Sequence, residues 1–192
     1  KVDYVADEYL NLATREVEGT DLAIYYDFET NIGDFSISLV STFTDTFYQT
    51  PTGDFSALAD AVASGELPAY AAPIGFGDLN GTDVGAVEQK DRLKVSYRRG
   101  DYRASLSALR IGELADSGEQ SAGFMYLIPS MTTADLSISK NIELGGNKGR
   151  VKFVVKNIAD ERAPLADGYN GFFSDVHSDM GRNYYLDLRV DF

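Results

Sequence analysis

The chain has no cysteine, one histidine and only 17 basic residues against 30 acidic ones in 192 residues. Without cysteine it forms no disulfide framework, thiolate zinc site or cysteine nucleophile. The motifs supply no combination of nucleophile, base and orienting group, so we predict that the chain is not an enzyme. Its net charge of -13 is the opposite of what a nucleic-acid binder needs to neutralise phosphates, so we expect no nucleic-acid partner.

Long hydrophobic runs are also missing. No apolar stretch approaches the roughly 18 to 20 residues that a membrane helix needs, and Lys1 does not begin the basic and then apolar pattern of a signal peptide. If this chain meets a membrane, we therefore expect it to do so with strands.

Hydrophobic residues instead recur with a period of two, which sends successive side chains to opposite faces of a strand. The sharpest example is the last segment, where mostly charged residues occupy the odd positions between apolar residues at the even ones. The apolar residues are Tyr184, Leu186, Leu188, Val190 and Phe192. Six more segments follow the same rule, at 22–28, 35–43, 93–97, 102–108, 134–138 and 151–155. We predict an all-β chain of about seven antiparallel strands.

The connections between these segments alternate between short and long. Short ones cover 29–33, 99–101 and 143–149, and long loops cover about 49–89, 113–127 and 159–180. This rhythm places all tight turns at one end and all long loops at the other, as in transmembrane barrels with short periplasmic turns and long extracellular loops. The long loops hold fourteen acidic residues and one basic residue, Arg162, so they carry the whole net charge.

A soluble antiparallel sandwich is the alternative fold, because its strands alternate in the same way. Aromatic residues near strand ends and charged residues on the polar faces favour the barrel. Seven strands cannot close in lipid without leaving bare edges, so we expect residues 1–192 to be the C-terminal portion of a larger barrel with a periplasmic C-terminus. Cleavage in a surface loop, a two-chain barrel and a partial chain would each explain why the sequence begins at Lys1.

Four segments carry a family resemblance. The final run, Gly-Arg-Asn-Tyr-Tyr-Leu-Asp-Leu-Arg-Val-Asp-Phe at 181–192, resembles the closing strand of TonB-dependent outer-membrane transporters. Asn157 to Pro164 is similar to their Asn-Leu-x-Asp-x-x-x-Pro segment, and Val17 to Asp21 to their Val-x-Gly-x-Glu/Asp signature. Ile128 to Leu136 resembles a further strand opening of the family, and the four segments follow the family's order.

The resemblance implies a barrel of about 22 strands with a plugged lumen, of which this chain would supply the last seven. It implies high-affinity uptake of a scarce nutrient, such as a ferric siderophore, driven by the TonB energy-coupling complex through a plug domain. The plug and the TonB box are not in this sequence. The implied partners are the remaining barrel strands, the plug, outer-membrane lipid with lipopolysaccharide, and a small-molecule nutrient. A passive porin or structural barrel is the alternative function.

The resemblance and the local chemistry also suggest individual roles. Asn157 and Asp160 are expected to bond backbone groups where a strand ladder ends, and Gly19 to permit a bulge or close backbone approach. The stripe of Tyr184, Leu188 and Phe192 resembles the C-terminal signal read by the barrel-assembly machinery. An ordinary lipid-facing stripe is its plainer interpretation, and the two are compatible.

Candidate binding residues lie in the long loops. In the last loop, aromatic and polar side chains could stack on a catecholate or sugar ring, or simply pack against neighbouring loops: Tyr169, Asn170, Phe172, Phe173 and His177. We favour packing, and we expect His177 at the surface rather than as a metal ligand.

The first long loop offers two local predictions. Residues Asp78, Asn80 and Asp83 group oxygen ligands near Gly81 and suggest Ca²⁺, although the glycine spacing departs from the EF-hand pattern and favours a plain turn. No other cofactor is expected. A short helix capped by Asp54 or Ser56 is predicted to end at Ala63. The acidic loops would attract cationic ligands, or divalent ions shared with lipopolysaccharide phosphates.

Overall fold

The computed structural model describes residues 13–72, 75–116, 126–168 and 170–191. Its elements follow the chain as one helix, one 3₁₀ turn and ten strands. They are β1 (Ala13–Thr30), β2 (Gly33–Pro51), α1 (Asp54–Ala63), the 3₁₀ turn (Ala69–Ala71), β3 (Gly77–Asp78), β4 (Gln89–Arg99), β5 (Tyr102–Ile111), β6 (Leu114–Ala115), β7 (Leu127–Ile128), β8 (Met131–Leu144), β9 (Asn147–Lys156) and β10 (Asn183–Val190).

Seven long strands form one antiparallel sheet in which every neighbour in space is also a neighbour along the chain. The order is β1-β2-β4-β5-β8-β9-β10, and β3 adds a short pairing to β2. Each strand predicted from the alternation lies at the position of one of these seven. The prediction of an all-β antiparallel fold is therefore confirmed.

The tight turns are where the sequence predicted them. Asn31 and Ile32 join β1 to β2, Gly100 and Asp101 join β4 to β5, and 145–146 joins β8 to β9. Gly100 has a φ of 54°, a left-handed value that a side chain would strain. Because the strands are antiparallel, these turns share one edge of the sheet, and the loops 52–88, 112–130 and 157–182 share the other.

The two faces of the sheet differ in chemistry, because the register aligns like residues across strands. One row crosses all seven strands with apolar residues only: Tyr26, Ile37, Val95, Leu106, Leu136, Val155 and Tyr184. On the opposite face, four serines lie side by side on β2, β4, β5 and β8: Ser36, Ser96, Ser105 and Ser137. The apolar face is largely exposed, with Leu186 at 74% and Leu106 at 43%.

A bulge interrupts the first hairpin. The register between β1 and β2 shifts between Glu18 and Gly19, so that Glu18 pairs with Thr46 and Gly19 with Thr44. A Cβ atom at Gly19 would lie 2.5 Å from the carbonyl oxygen of Phe43. Both roles expected for Gly19, the bulge and the close backbone approach, are confirmed.

The first two strands are much longer than the alternation indicated. β1 has 18 residues and β2 has 19, whereas β4 pairs with β2 only up to Phe43. The hairpin therefore stands about eight residues beyond the rest of the sheet at the loop edge, or about 27 Å at about 3.4 Å per residue.

The predicted helix is present, but its cap is not the predicted one. α1 spans Asp54–Ala63, and its N-cap is Gly53 rather than Asp54 or Ser56. Gly53 has no side chain to bond the first turn, and Asp54 lies within that turn, where its charge favours the helix dipole. None of the described helices is long and apolar enough to cross a membrane.

Buried hydrophobic residues lie at the loop edge rather than within the sheet. Among the described residues they are Leu79, Ile111, Leu114, Ile128 and Met131. No second large sheet covers the apolar face among these residues; β6 and β7 form the only other sheet, of two strands. The strands consequently derive their order chiefly from hydrogen-bonded ladders, and the loops carry the packed core.

Candidate functional site: a basic trough below an acidic loop cap

The polar face of the sheet forms a trough. Residues of six adjacent strands, from β1 to β9, line one cavity of ≈ 760 Å³, so the sheet curls toward this face. Ser96, Ser105, Ser137 and Ser139 contribute hydroxyl groups to the lining, and the Oγ atoms of Ser105 and Ser137 are 2.9 Å apart. The volume and the convergent polar groups resemble those of small-molecule sites.

Basic side chains outnumber acidic ones in the trough. The cationic residues that line it are Lys94, Arg98, Arg103, Arg150 and Lys152; the anionic ones are Asp27, Glu29 and Asp34. Arg98 forms an ion pair with Asp34 at 3.0 Å. None of the other four cations of the trough forms an ion pair with a described residue.

Above the trough, the three long loops form one assembly that we call the loop cap (52–88, 112–130 and 157–182). Main-chain hydrogen bonds join the first loop to the second: the amide of Ala115 donates to the carbonyl of Gly81 at 2.7 Å, and the amide of Asp83 donates to the carbonyl of Ala115 at 3.1 Å. The second loop meets the third where the hydroxyl of Tyr126 donates to the carbonyl of Leu165 at 2.9 Å.

Asp116 fixes the centre of the cap. This carboxylate is only 2% exposed, and its Oδ2 accepts a hydrogen bond from the amide of Asp167 at 3.0 Å. The amide of Asp116 donates to the carbonyl of Tyr126 at 2.9 Å. One side chain therefore bonds across from the second loop to the third, a role that the sequence alone did not reveal.

The base of the third loop is held by Asn157 and Asp160, as predicted. Asn157 exchanges two hydrogen bonds with the backbone of Glu161, at 2.8 and 2.9 Å, and its own amide donates to Asp135 at 2.9 Å. The Oδ1 atom of Asp160 accepts from the amide of Arg182 at 2.7 Å. Both residues have positive φ, 50° and 58°, values that asparagine and aspartate adopt more readily than most residues.

A bidentate ion pair closes the same loop. The Nε atom of Arg162 donates to Oδ1 of Asp179 at 2.8 Å, and its Nη2 atom donates to Oδ2. Asp179 also accepts from the amide of Ala163 at 3.0 Å. The hydrogen bond from Arg162, followed by that from Ala163, lowers the pKa of Asp179 to about 2. The guanidinium pKa of Arg162 is raised by the same partner.

The predicted binding residues of the third loop differ in their exposure. Asn170 is exposed, whereas Phe172 and Phe173 are partly buried; Tyr169 lies outside the described residues. The expectation of a surface His177 is wrong: the residue is 3% exposed, and its amide donates to the carbonyl of Phe173 at 2.9 Å. Neither ring nitrogen has a hydrogen-bond partner in the described part of the chain, and burial lowers the pKa of this imidazole.

The candidate calcium loop is built as a turn. The Oδ1 atom of Asp78 accepts a hydrogen bond from the backbone amide of Asn80 at 3.1 Å. The side-chain amide of Asn80 donates to the carbonyl of Thr44 at 2.8 Å. Asp83 joins the first loop to the second through its backbone. Across 13–72, 75–116, 126–168 and 170–191, no three acidic, histidine or cysteine side chains form a group suited to a metal ion.

The proposed assembly stripe is exposed where it is described. Tyr184 and Leu188 are exposed on β10, and the ring of Tyr184 stacks on Phe153 of β9 at 6.3 Å between centroids. Phe192 lies outside the described residues. On the opposite face of this strand, Arg189 pairs with Asp191 at 3.0 Å.

Comparison of the chain with protein-family models, with curated proteins and with solved structures finds no match.

Proposed function

We propose that this chain is part of the wall of an outer-membrane β-barrel transporter that takes up a scarce nutrient with TonB-derived energy. The observation that carries the proposal is the division of the sheet into an exposed apolar face and a polar trough. A soluble sandwich buries its apolar face against a second sheet, whereas a barrel exposes that face to lipid and encloses the polar one.

The extent of the apolar face fits this environment. Near the loop edge, an ion pair between Asp91 and Arg110 at 3.2 Å lies on the same face as the apolar row, and near the turn edge Arg99 ends β4. Eight residues separate Asp91 from Arg99, about 27 Å along the strand at about 3.4 Å per residue. With a tilt of about 40° this spans about 21 Å of bilayer, close to the apolar band of about 25 Å in outer-membrane barrels.

The two edge strands of the sheet are consistent with further strands that extend it. Within the described residues, β1 pairs only with β2 and β10 only with β9, so each leaves one row of backbone groups free. In hydrocarbon each unpaired group costs several kcal/mol. We propose that further strands pair with both edges to close a barrel of about 22 strands, with tight turns toward the periplasm and the loop cap outside.

The active, TonB-energised character of the transporter rests on the motifs at 17–21, 128–136, 157–164 and 181–192. A passive porin is the second candidate, favoured by the polar trough. Lipopolysaccharide would surround the apolar face, and divalent ions would bridge its phosphates to the acidic cap. We propose ligand contacts from Asn170, Phe172 and Phe173 in the third loop, where Asn170 is exposed and the two rings are partly buried.

Membrane fractionation of the native protein tests the location. We expect the protein in the outer-membrane fraction and resistant to alkaline extraction without detergent. Recovery in the aqueous fraction would overturn the barrel proposal in favour of a soluble sandwich.

Planar-bilayer conductance then separates the two transport modes. A plugged transporter is nearly silent, whereas a porin conducts steadily. Sequencing the complete gene provides a second discriminator, because the active mode requires an upstream plug domain of roughly 100 to 150 residues, the size of an ordinary domain. If the protein conducts steadily and its gene encodes no such domain, the porin becomes the supported function and the active transporter is rejected.

A further inference from the structure

The cations of the trough are placed against each other. Arg98 on β4 lies directly opposite Arg103 on β5, and Arg150 on β9 lies directly opposite Arg189 on β10. Like charges in directly opposed positions destabilise a sheet. Asp34 forms an ion pair with Arg98 and Asp191 with Arg189, whereas neither Arg103 nor Arg150 forms an ion pair with a described residue.

Two more observations point to an anionic occupant. Lys94, Arg103 and Lys152 line the trough, and none of them forms an ion pair with a described residue. The Nε atom of Arg150, in the same lining, is buried and has no hydrogen-bond partner among the described residues. A buried guanidinium donor without an acceptor is costly, which an anion would relieve.

The register gives these groups a spacing. Arg103 on β5, Ser139 on β8 and Lys152 on β9 lie in one lateral row, which continues to Asp187 on β10, although Asp187 and Lys152 form no ion pair. At about 4.8 Å between strands, the two cations are roughly 10 Å apart at the backbone with a hydroxyl between them. Long flexible side chains at this distance converge on one small anion, and the serine row on β4, β5 and β8 supplies neutral donors beside it.

We infer that the trough binds a small multivalent anion, through carboxylate or phosphate groups held between Arg103 and Lys152. The inference names the solute class of the proposed transporter, and it rests on that function in so far as the trough faces the lumen. The volume of ≈ 760 Å³ suits such a solute.

Isothermal titration of the native protein in detergent, with citrate and with pyrophosphate as probes, tests the inference. We expect one or both to bind, binding to weaken with salt, and neutral raffinose to give no heat. The double variant Arg103→Gln with Lys152→Gln should lose at least about tenfold in affinity, or about 1.4 kcal/mol, because it removes two charged hydrogen-bond donors to the anion.

A matched control removes the same charge from the opposite face. Arg99 and Lys140 lie on the face of the apolar row, on β4 and β8, and Lys140 contacts the ring of Tyr102 rather than the trough. The double variant Arg99→Gln with Lys140→Gln should bind both probes as the native protein does. Circular dichroism, and the electrophoretic mobility of unheated samples, would establish that both variants fold.

Two results would overturn the inference: binding of neither probe by the native protein, or equal losses of affinity in the two double variants. If neither probe binds but polyglutamate does, an acidic protein segment would be identified as the occupant instead. Failure of the proposed function would give a different result. If the protein is recovered in the aqueous fraction but still binds citrate through Arg103 and Lys152, the anion site is supported and the transporter proposal is rejected.

Discussion

The sheet and the loop cap are stabilised in different ways. The seven long strands pair in regular register, yet their large hydrophobic side chains, such as Leu106 and Leu186, stay exposed on one face. The cap has little regular structure, yet it contains the fully buried Leu114 and Ile128 and the buried carboxylate of Asp116. The cap therefore supplies its own interior, whereas the sheet depends on its surroundings to cover its apolar face.

The cap and the sheet therefore differ in what stabilises each of them. A cap with an interior can keep its shape in water, because burial of apolar area drives its folding. The sheet, which exposes an apolar row across seven strands, has no such interior of its own. The two parts are therefore stabilised differently, and substitutions should affect them separately.

The largest effect that distinguishes them is expected for Leu114→Ala. This side chain is 1% exposed, so its truncation leaves a cavity and should destabilise the cap by about 2 to 5 kcal/mol. Hydrogen exchange should show faster exchange at 79–83 and 114–116, with the amides of β5 and β9 unchanged.

Leu127→Ala is the matched control, because Leu127 belongs to the same two-stranded sheet but is 48% exposed. Its effect should be under about 1 kcal/mol. Equal destabilisation by the two substitutions would mean that the cap has no packed interior of its own.

A smaller effect is expected on the face of the sheet. Leu106→Arg places a charge in the centre of the apolar row and should cost about 2 to 4 kcal/mol in a bilayer, whereas Ser105→Arg, on the trough face of the same strand, should cost much less. Unfolding by urea in lipid vesicles measures both. If the two variants unfold alike, the apolar row does not face lipid.

The smallest effect is a pH dependence in the cap. Burial lowers the pKa of His177 below its usual 6.5, so the folded cap favours the neutral ring. The unfolded chain takes up a proton first as pH falls, and this contribution to stability is present above pH 6.5 and lost as pH falls from there through the folded pKa.

Limited proteolysis of the third loop between pH 7 and pH 5 measures this loss. We expect faster cleavage at the lower pH in the native protein and a flatter profile in His177→Phe, which has no titrating group. Native profiles that do not change over this range would contradict a buried neutral imidazole.

Sequence periodicity predicts the sheet well for a physical reason. Alternation is a local property of a strand, and tight turns such as the one at Gly100 are local too, so both are readable from neighbouring residues. The extra length of β1 and β2 was missed, because 13–20 and 44–51 are polar and pair mainly with each other. The polar residues of these segments are typical of loops, but the hydrogen-bond ladder between β1 and β2 continues through them.

The loop cap was much less predictable, because its contacts join residues far apart in the chain. Asp116 is 51 residues from Asp167, and nothing in either segment indicates the hydrogen bond between them. His177 was assigned to the surface from its residue type, but its environment is set by neighbouring loop packing. The opposition of cations across neighbouring strands likewise emerges only from the register.

The links between the first and second loops have an evolutionary consequence. Gly81, Asp83 and Ala115 are joined through amide and carbonyl groups that every non-proline residue possesses. Side chains along these segments can therefore vary without breaking the joint, provided that two glycines are kept. Gly81 has a left-handed φ of 68°, and at Gly85 a Cβ would lie 1.8 Å from the carbonyl oxygen of Leu79. Such a joint lets the outer surface of the molecule acquire new recognition properties while the frame that presents it stays the same.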